Sequence, residues 1–192
     1  MAVFDDSRQP ARRDFLVQTA GAFVGVGCAA ALWPFIDQMN PNGATPPPEV
    51  TDVDLGPIAP GQAISVRWRG LPIFVRNRPL EEVQRARSTP LSELRDPLAR
   101  NETLSRKAPA YDTNRTKEGW DNWLVVVGVC THLGCILKSS ATAAVGDADE
   151  AWFCPCHAAR FDLSGRVRSG PALTNLPVPP YQFLTASRLR IG

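Results

Sequence analysis

A chain of 192 residues has room for one membrane anchor and one folded domain with a core large enough to be stable. Its net charge of +2 is too mild to argue for nucleic acid, and no nucleic-acid partner is expected. Eighteen prolines and fourteen glycines suit a loop-rich, mostly β domain better than a helical bundle, and the lack of any repeating period counts against a solenoid.

Residues 1–14 carry an address. Ala11-Arg12-Arg13-Asp14-Phe15-Leu16 puts twin arginines directly before an apolar run, the pattern of bacterial twin-arginine export signals. From Phe15 through Ile36 no residue is charged. At about 1.5 Å per residue this run of roughly 22 reaches about 33 Å, enough to cross a hydrocarbon core of about 30 Å. Ala29-Ala30-Ala31 mimics a cleavage site, but Leu32-Trp33-Pro34-Phe35-Ile36 carries the apolar run past it. Residues 15–36 are therefore expected to stay as a single transmembrane anchor, with Trp33 at the far interface. Gly21, Gly25 and Gly27 suit close packing against other membrane helices, and Cys28 reads as a small apolar residue among them. Arg8, Arg12 and Arg13 precede the span, so the N-terminus stays cytoplasmic and the remainder crosses to the periplasmic side of the bacterial inner membrane.

Residues 37–49 read as a hinge linker, in which Asn40-Pro41-Asn42-Gly43 bends and Pro46-Pro47-Pro48 is semi-rigid. Residues 50–192 form the head domain. Ile64 to Trp68 alternates, Arg69-Gly70 suggests a turn, and Leu71 to Val75 completes a hairpin. The stretch from Asn77 to Asn122 is polar and charged; Leu80 to Arg87 reads as a short helix and the remainder as surface loop. Trp123 through Val129 is a buried-strand run, Trp152-Phe153 a second, and Phe183-Leu184 with Leu189-Arg190-Ile191 look like closing strands. The expected fold is mostly β: an N-terminal helix, a linker, and a small antiparallel domain.

The two strand runs each deliver the chain into a cysteine box: Cys130-Thr131-His132-Leu133-Gly134-Cys135 and Cys154-Pro155-Cys156-His157. Both histidines of the chain and four of its five cysteines lie there. One Cys and one His from each box give a four-ligand set of soft thiolates and imidazoles, which suits zinc or an iron–sulfur cluster. One cysteine per box is left over and available for a disulfide. Zinc ribbons commonly use paired Cys-x-x-Cys knuckles without such a surplus, so the cluster is preferred. A disulfide persists on the oxidising side of the membrane, where the export signal also points.

The double box, with the twin-arginine anchor, the linker and the later Gly170-Pro171-Ala172 loop, resembles the Rieske iron–sulfur protein of the quinol–cytochrome c reductase (cytochrome bc) complex. The resemblance implies that Cys130 and Cys154 ligate one iron of a 2Fe-2S cluster, that His132 and His157 ligate the other, and that Cys135 pairs with Cys156. It gives the quinol-facing role to His157. Leu133 and Gly134, with Gly170 and Pro171 opposite, would shield the cluster and dock on cytochrome b. Imidazole ligation places such clusters at about −150 to +300 mV, above plant-type ferredoxins. The implied function is to take one electron from ubiquinol or menaquinol and pass it to a c-type cytochrome, contributing to proton translocation. Cytochrome b, a c-type cytochrome, quinol and membrane lipid are the implied partners, within a dimeric complex.

Three departures stand out. Where the family continues Gly-Ser-x-Tyr-Asp after the second box, this chain has Ala158-Ala159-Arg160-Phe161-Asp162, so the hydroxyls expected to donate to the cluster are missing at Ala159 and Phe161. Arg160 is expected to point away from the site. A second proline is usual after Gly-Pro-Ala, and here Leu173 follows Ala172. Two rival readings are a Rieske subunit of another periplasmic oxidase, such as arsenite oxidase, and a zinc-stabilised, membrane-tethered binding module.

Overall fold

The computed structural model describes residues 12–39, 49–139 and 150–192; the start of the export signal and the linker residues from Asn40 to Pro48 lie outside the described residues. The chain divides into two compact units, Met1–Pro46 and Pro47–Gly192.

Among the described residues of the first unit, one helix, α1 (Arg12–Asp37), extends the apolar run by three residues at its start and one at its end. Asp14 in its first turn complements the positive end of the helix dipole. Pro34 sits in the last turns, and the helix closes three residues later. Phe15, Phe23, Val26, Trp33 and Phe35 all face outward, and no residue of α1 is buried. Large apolar side chains exposed around a helix fit hydrocarbon rather than water.

Among the described residues, the second unit has ten short strands in three antiparallel sheets. β1 (Thr51–Asp54) pairs with β10 (Arg188–Ile191), which pairs with β9 (Tyr181–Thr185). β2 (Ala63–Trp68), β3 (Leu71–Asn77) and β4 (Trp123–Val127) form the second sheet. β5 (Lys138–Ser139), β6 (Glu150–Phe153), β7 (Arg160–Asp162) and β8 (Val167–Ser169) form the third. The expected hairpin is present: Arg69 (φ 47°) and Gly70 (φ 80°) both lie in the left-handed region that a tight two-residue hairpin turn requires. All five residues of β4 are buried, which explains their unbroken apolar run. Phe74 of β3 stacks on Trp152 of β6 with ring centroids 4.7 Å apart, joining the second and third sheets. A Cβ at Gly128 would lie 2.6 Å from the Phe74 ring, so only glycine lets β4 leave the core past that stack.

The polar stretch departs from expectation. Helix α2 (Leu80–Ser88) forms where the sequence placed it, but the remainder is not a surface loop. Arg78, Asp96, Asp112, Arg115 and Thr116 are buried. Arg78 Nη1 donates to Asp112 Oδ1 at 2.6 Å with both side chains 0% exposed, and Arg78 Nη2 donates to the Asp121 carbonyl at 2.5 Å. Arg115 donates to the carbonyls of Ser164 at 2.5 Å, Leu176 at 2.8 Å and Ala99. Arg166 pairs with Asp162 at 2.6 Å and reaches the Ala86 carbonyl at 2.8 Å. The stretch has too few apolar side chains for a core of its own. Guanidinium groups instead bond its carbonyls and carboxylates to the 162–166 turn. Buried arginine is tolerated only with such multiple partners. Burial lowers Arg115 to about 10, so it remains charged at neutral pH.

A stability prediction follows. Burial pushes the Asp112 carboxyl up, but the hydrogen bond and charge of Arg78, with the Ser164 hydroxyl, outweigh it and hold the group below its ordinary 3.8. Asp112 therefore contributes stability above pH 3.8 that is lost as pH falls through its lower folded value. Asp112→Ala leaves the Arg78 charge buried and unpaired and is expected to cost about 3–5 kcal/mol in denaturant unfolding at pH 7. A loss below about 1 kcal/mol would show that the network adds nothing beyond surface pairing.

Candidate metal centre

The two boxes are the same loop built twice. In the first, the Gly134 amide donates to the Cys130 carbonyl at 3.0 Å, and the Cys130 amide donates to the Cys135 carbonyl at 2.8 Å. In the second, the Ala158 amide donates to the Cys154 carbonyl at 3.0 Å, and the Cys154 amide donates to the Ala159 carbonyl at 2.8 Å. The bridge between Val129 and Ile136 closes the base of the first loop, and the β6–β7 ladder closes the second. Each loop thereby buries its first cysteine, Cys130 or Cys154, and turns its tip outward.

Both loops need a left-handed residue at the equivalent place. Gly134 supplies it with φ 80°, whereas the second loop uses Ala158 at φ 58°. A left-handed alanine costs roughly 1–2 kcal/mol, and the extra freedom of glycine in the unfolded chain offsets about 0.4–1 kcal/mol of that. Ala158→Gly is expected to stabilise the head domain by about 0.5–1 kcal/mol. An unchanged or lower unfolding midpoint would contradict this.

Cys135 and Cys156 form a disulfide across the two loop tips. Cys130 and Cys154 are free and lie side by side. Burial raises the Cys130 thiol, and neighbouring Cys154 pushes the same way, while the amides of His132 and Leu133 pull it down. The disulfide lies against Cys154: the sulfurs of Cys135, Cys154 and Cys156 fall within 4.8 Å of one another. The His132 and His157 rings meet edge to face, centroids 4.8 Å apart. His157 is exposed, while His132 is half-buried and its Nδ1 is a buried nitrogen without a hydrogen-bond partner among the described residues. Two free thiols, two imidazoles and an orphaned ring nitrogen fit a thiolate–imidazole cluster. A bound cation removes the penalty of ionising the buried thiols.

A third loop covers the boxes. Gly170, at φ 85°, presses its backbone on the second box so closely that a Cβ there would lie 2.5 Å from Ala159 Cα. The Thr131 hydroxyl donates to the Thr174 carbonyl at 2.7 Å, joining the first box to the same loop. Gly134, Gly170 and Pro171 are exposed, as is Leu133 at 70%. Sequence reasoning missed two further apolar residues, Ile136 at 62% and Leu173 at 72% exposure. The signal for both was a large aliphatic residue two positions after a turn glycine or proline. Ala159 and Phe161 are fully buried, and Phe161 pairs with Trp152 and Val167 across the ladder. Arg160, between them, reaches Glu150 Oε2 at 2.5 Å, as the alternation predicts.

Comparison with known proteins agrees with this geometry. Residues 4–42 match the family described as Ubiquitinol-cytochrome C reductase Fe-S subunit TAT signal, and residues 99–181 match the Rieske 2Fe-2S domain. The Ubiquinol-cytochrome c reductase iron-sulfur subunit of Bradyrhizobium diazoefficiens is 46% identical over 193 residues, covering 100% of each chain. Its counterpart in Rickettsia prowazekii is 46% identical over 97% of this chain and 96% of its own. That of Rhodospirillum rubrum is 46% identical over 96% and 93%. The match runs from anchor to head, which neither a small oxidase subunit nor a zinc module explains. The cofactor is the Rieske 2Fe-2S cluster that the donor set fits, and the apolar helix with its export signal makes the chain a membrane-anchored electron-transfer subunit. The chain belongs to the family of Rieske iron–sulfur subunits of the ubiquinol–cytochrome c reductase complex.

Proposed function

We propose that this chain takes one electron from quinol at the outer face of the bacterial inner membrane and passes it to a c-type cytochrome. Cys130 and Cys154 would hold one iron of the cluster and His132 and His157 the other. One observation carries the reading: the thiols are buried, while His157 is exposed and meets His132 edge to face, and Leu133, next to His132 in its loop, is also exposed. When bound, the cluster supplies a one-electron acceptor whose imidazole ligands raise its potential above that of all-cysteine clusters.

The protein's own groups do the remainder. The outer ring nitrogen of His157 accepts the hydrogen bond, and then the proton, of a quinol hydroxyl. The proton leaves on the periplasmic side. Leu133 and Gly134, with Gly170 and Pro171, exclude water and seat the tip on cytochrome b within a dimeric complex. The anchor, residues 15–36, holds the N-terminus on the cytoplasmic side and the head, residues 50–192, in the periplasm. Mixing the intact complex with quinol is expected to reduce the iron–sulfur signal by one electron per chain. Unimpaired reduction of the c-type haem in a complex lacking this chain would overturn the proposal.

Residues 37–49 are a tether that lets the head visit cytochrome b and the acceptor in turn. Prolines introduced into Asn42-Gly43-Ala44-Thr45 are expected to slow turnover about tenfold or more while leaving the cluster spectrum unchanged. Full quinol–cytochrome c activity in that variant would reduce the linker to a spacer.

A further inference from the structure

The third loop, residues 170–174, carries the exposed Leu173 and has one proline where the resemblance implies two, so something else must order it. Its ties lead to a segment of the polar stretch far from both boxes in sequence. Arg95 Nη1 donates to the carbonyl of Gly170 and, at 3.2 Å, to that of Ala172. Next to it, the buried Asp96 accepts the Asn175 amide at 2.9 Å, and the Asn175 side chain donates to the carbonyls of Asp96 at 3.0 Å and Leu98 at 2.8 Å. Arg95 therefore grips the loop where it enters, and Asp96 grips it where it leaves.

The contacts continue inward. Gly170 lies against the Ala159 backbone, and the Ala159 carbonyl accepts the Cys154 amide at 2.8 Å. Three contacts, a hydrogen bond, a packing contact and a second hydrogen bond, link the Arg95 guanidinium to the backbone of Cys154, whose thiol is buried. We propose that Arg95 is a positioning residue for the metal centre. By holding two carbonyls of a single-proline loop, it keeps that loop closed over the second box and water out of the site. Both bonds come from the one Nη1, which the planar guanidinium holds in a fixed direction, whereas a lysine ammonium rides on a flexible stem. The inference rests on the proposed function only in placing the cluster between the two boxes.

The test uses the full-length chain in detergent and reads amide hydrogen–deuterium exchange, which does not depend on which residues ligate iron. In Arg95→Met, exchange across residues 170–174 is expected to rise at least tenfold, with the β2–β3 hairpin unchanged. Loss of the iron–sulfur absorption under a chelator is expected to accelerate severalfold. Arg95→Lys is expected to fall between Arg95→Met and wild type. Adding Leu173→Pro to Arg95→Met is expected to restore protection to within about threefold of wild type, because proline restrains the loop without the cation. Three results would each overturn the proposal: loop exchange within twofold of wild type, an equal rise in the β2–β3 hairpin, or no rescue by the proline. An intact iron–sulfur spectrum beside unchanged exchange would sink this inference alone. Loss of a ligand assignment would leave the exchange result standing.

Discussion

Replacing His132 or His157 with alanine is expected to remove the iron–sulfur signal completely while α1 (Arg12–Asp37) still inserts. The site offers four donors from two loops, and the buried Nδ1 of His132 has no hydrogen-bond partner among the described residues. Under the proposed ligation, loss of one imidazole would leave an iron with a single protein ligand, and no other histidine exists in the chain to replace it. Cys130→Ser and Cys154→Ser are expected to behave alike, since both thiols are buried at the base of their loops. Cys28→Ser, on the exposed surface of α1, is expected to leave iron content unchanged. The tests are iron per chain and the reduced-state paramagnetic signal. An unchanged signal in either histidine variant would end the ligand assignment.

Restoring the two absent hydroxyls with Ala159→Ser and Phe161→Tyr is expected to raise the midpoint potential by on the order of 100 mV at fixed pH. A reduced cluster carries one more negative charge than an oxidised one, so donors aimed at it favour reduction. A hydrogen bond to a charged group is worth about 1.5–3 kcal/mol, and about 1.4 kcal/mol corresponds to roughly 59 mV for a one-electron couple. The shift is smaller than the sum of two such bonds, because each donor also interacts with the oxidised state. Both side chains are fully buried, and strand alternation puts them on the face opposite Arg160, which is turned to Glu150. The wild-type chain is accordingly expected to be a low-potential member of its family. A double variant that titrates at the wild-type potential would show that positions 159 and 161 do not tune the cluster.

The site was legible in the sequence to the extent that its chemistry is rare. Two histidines, each beside cysteines, leave few ways to arrange a donor set, and the β4 run announces where the first box begins. The β2–β3 hairpin was equally plain, because its alternation flanks an Arg-Gly turn. What the sequence concealed is polar. Arg78 and Arg115 fall in the stretch read as largely surface loop, since arginine is rarely buried, and only the folded chain reveals the carbonyls that make their burial tolerable. The left-handed Ala158 was visible as a missing glycine, but its strain appears only beside the matching turn at Gly134. Arg95 is separated from the loop it holds by some 75 residues, a distance across which no local pattern reaches.

The most direct test of the central claim is pulsed electron paramagnetic resonance on the reduced full-length protein, with histidine labelled by nitrogen-15. The chain has two histidines, so any strongly coupled histidine nitrogen must come from His132 or His157. The expected result is a 2Fe-2S signal with a lower average g than all-cysteine clusters, showing two labelled nitrogens, each lost with its own substitution. A signal with no histidine coupling would contradict the proposed ligand set.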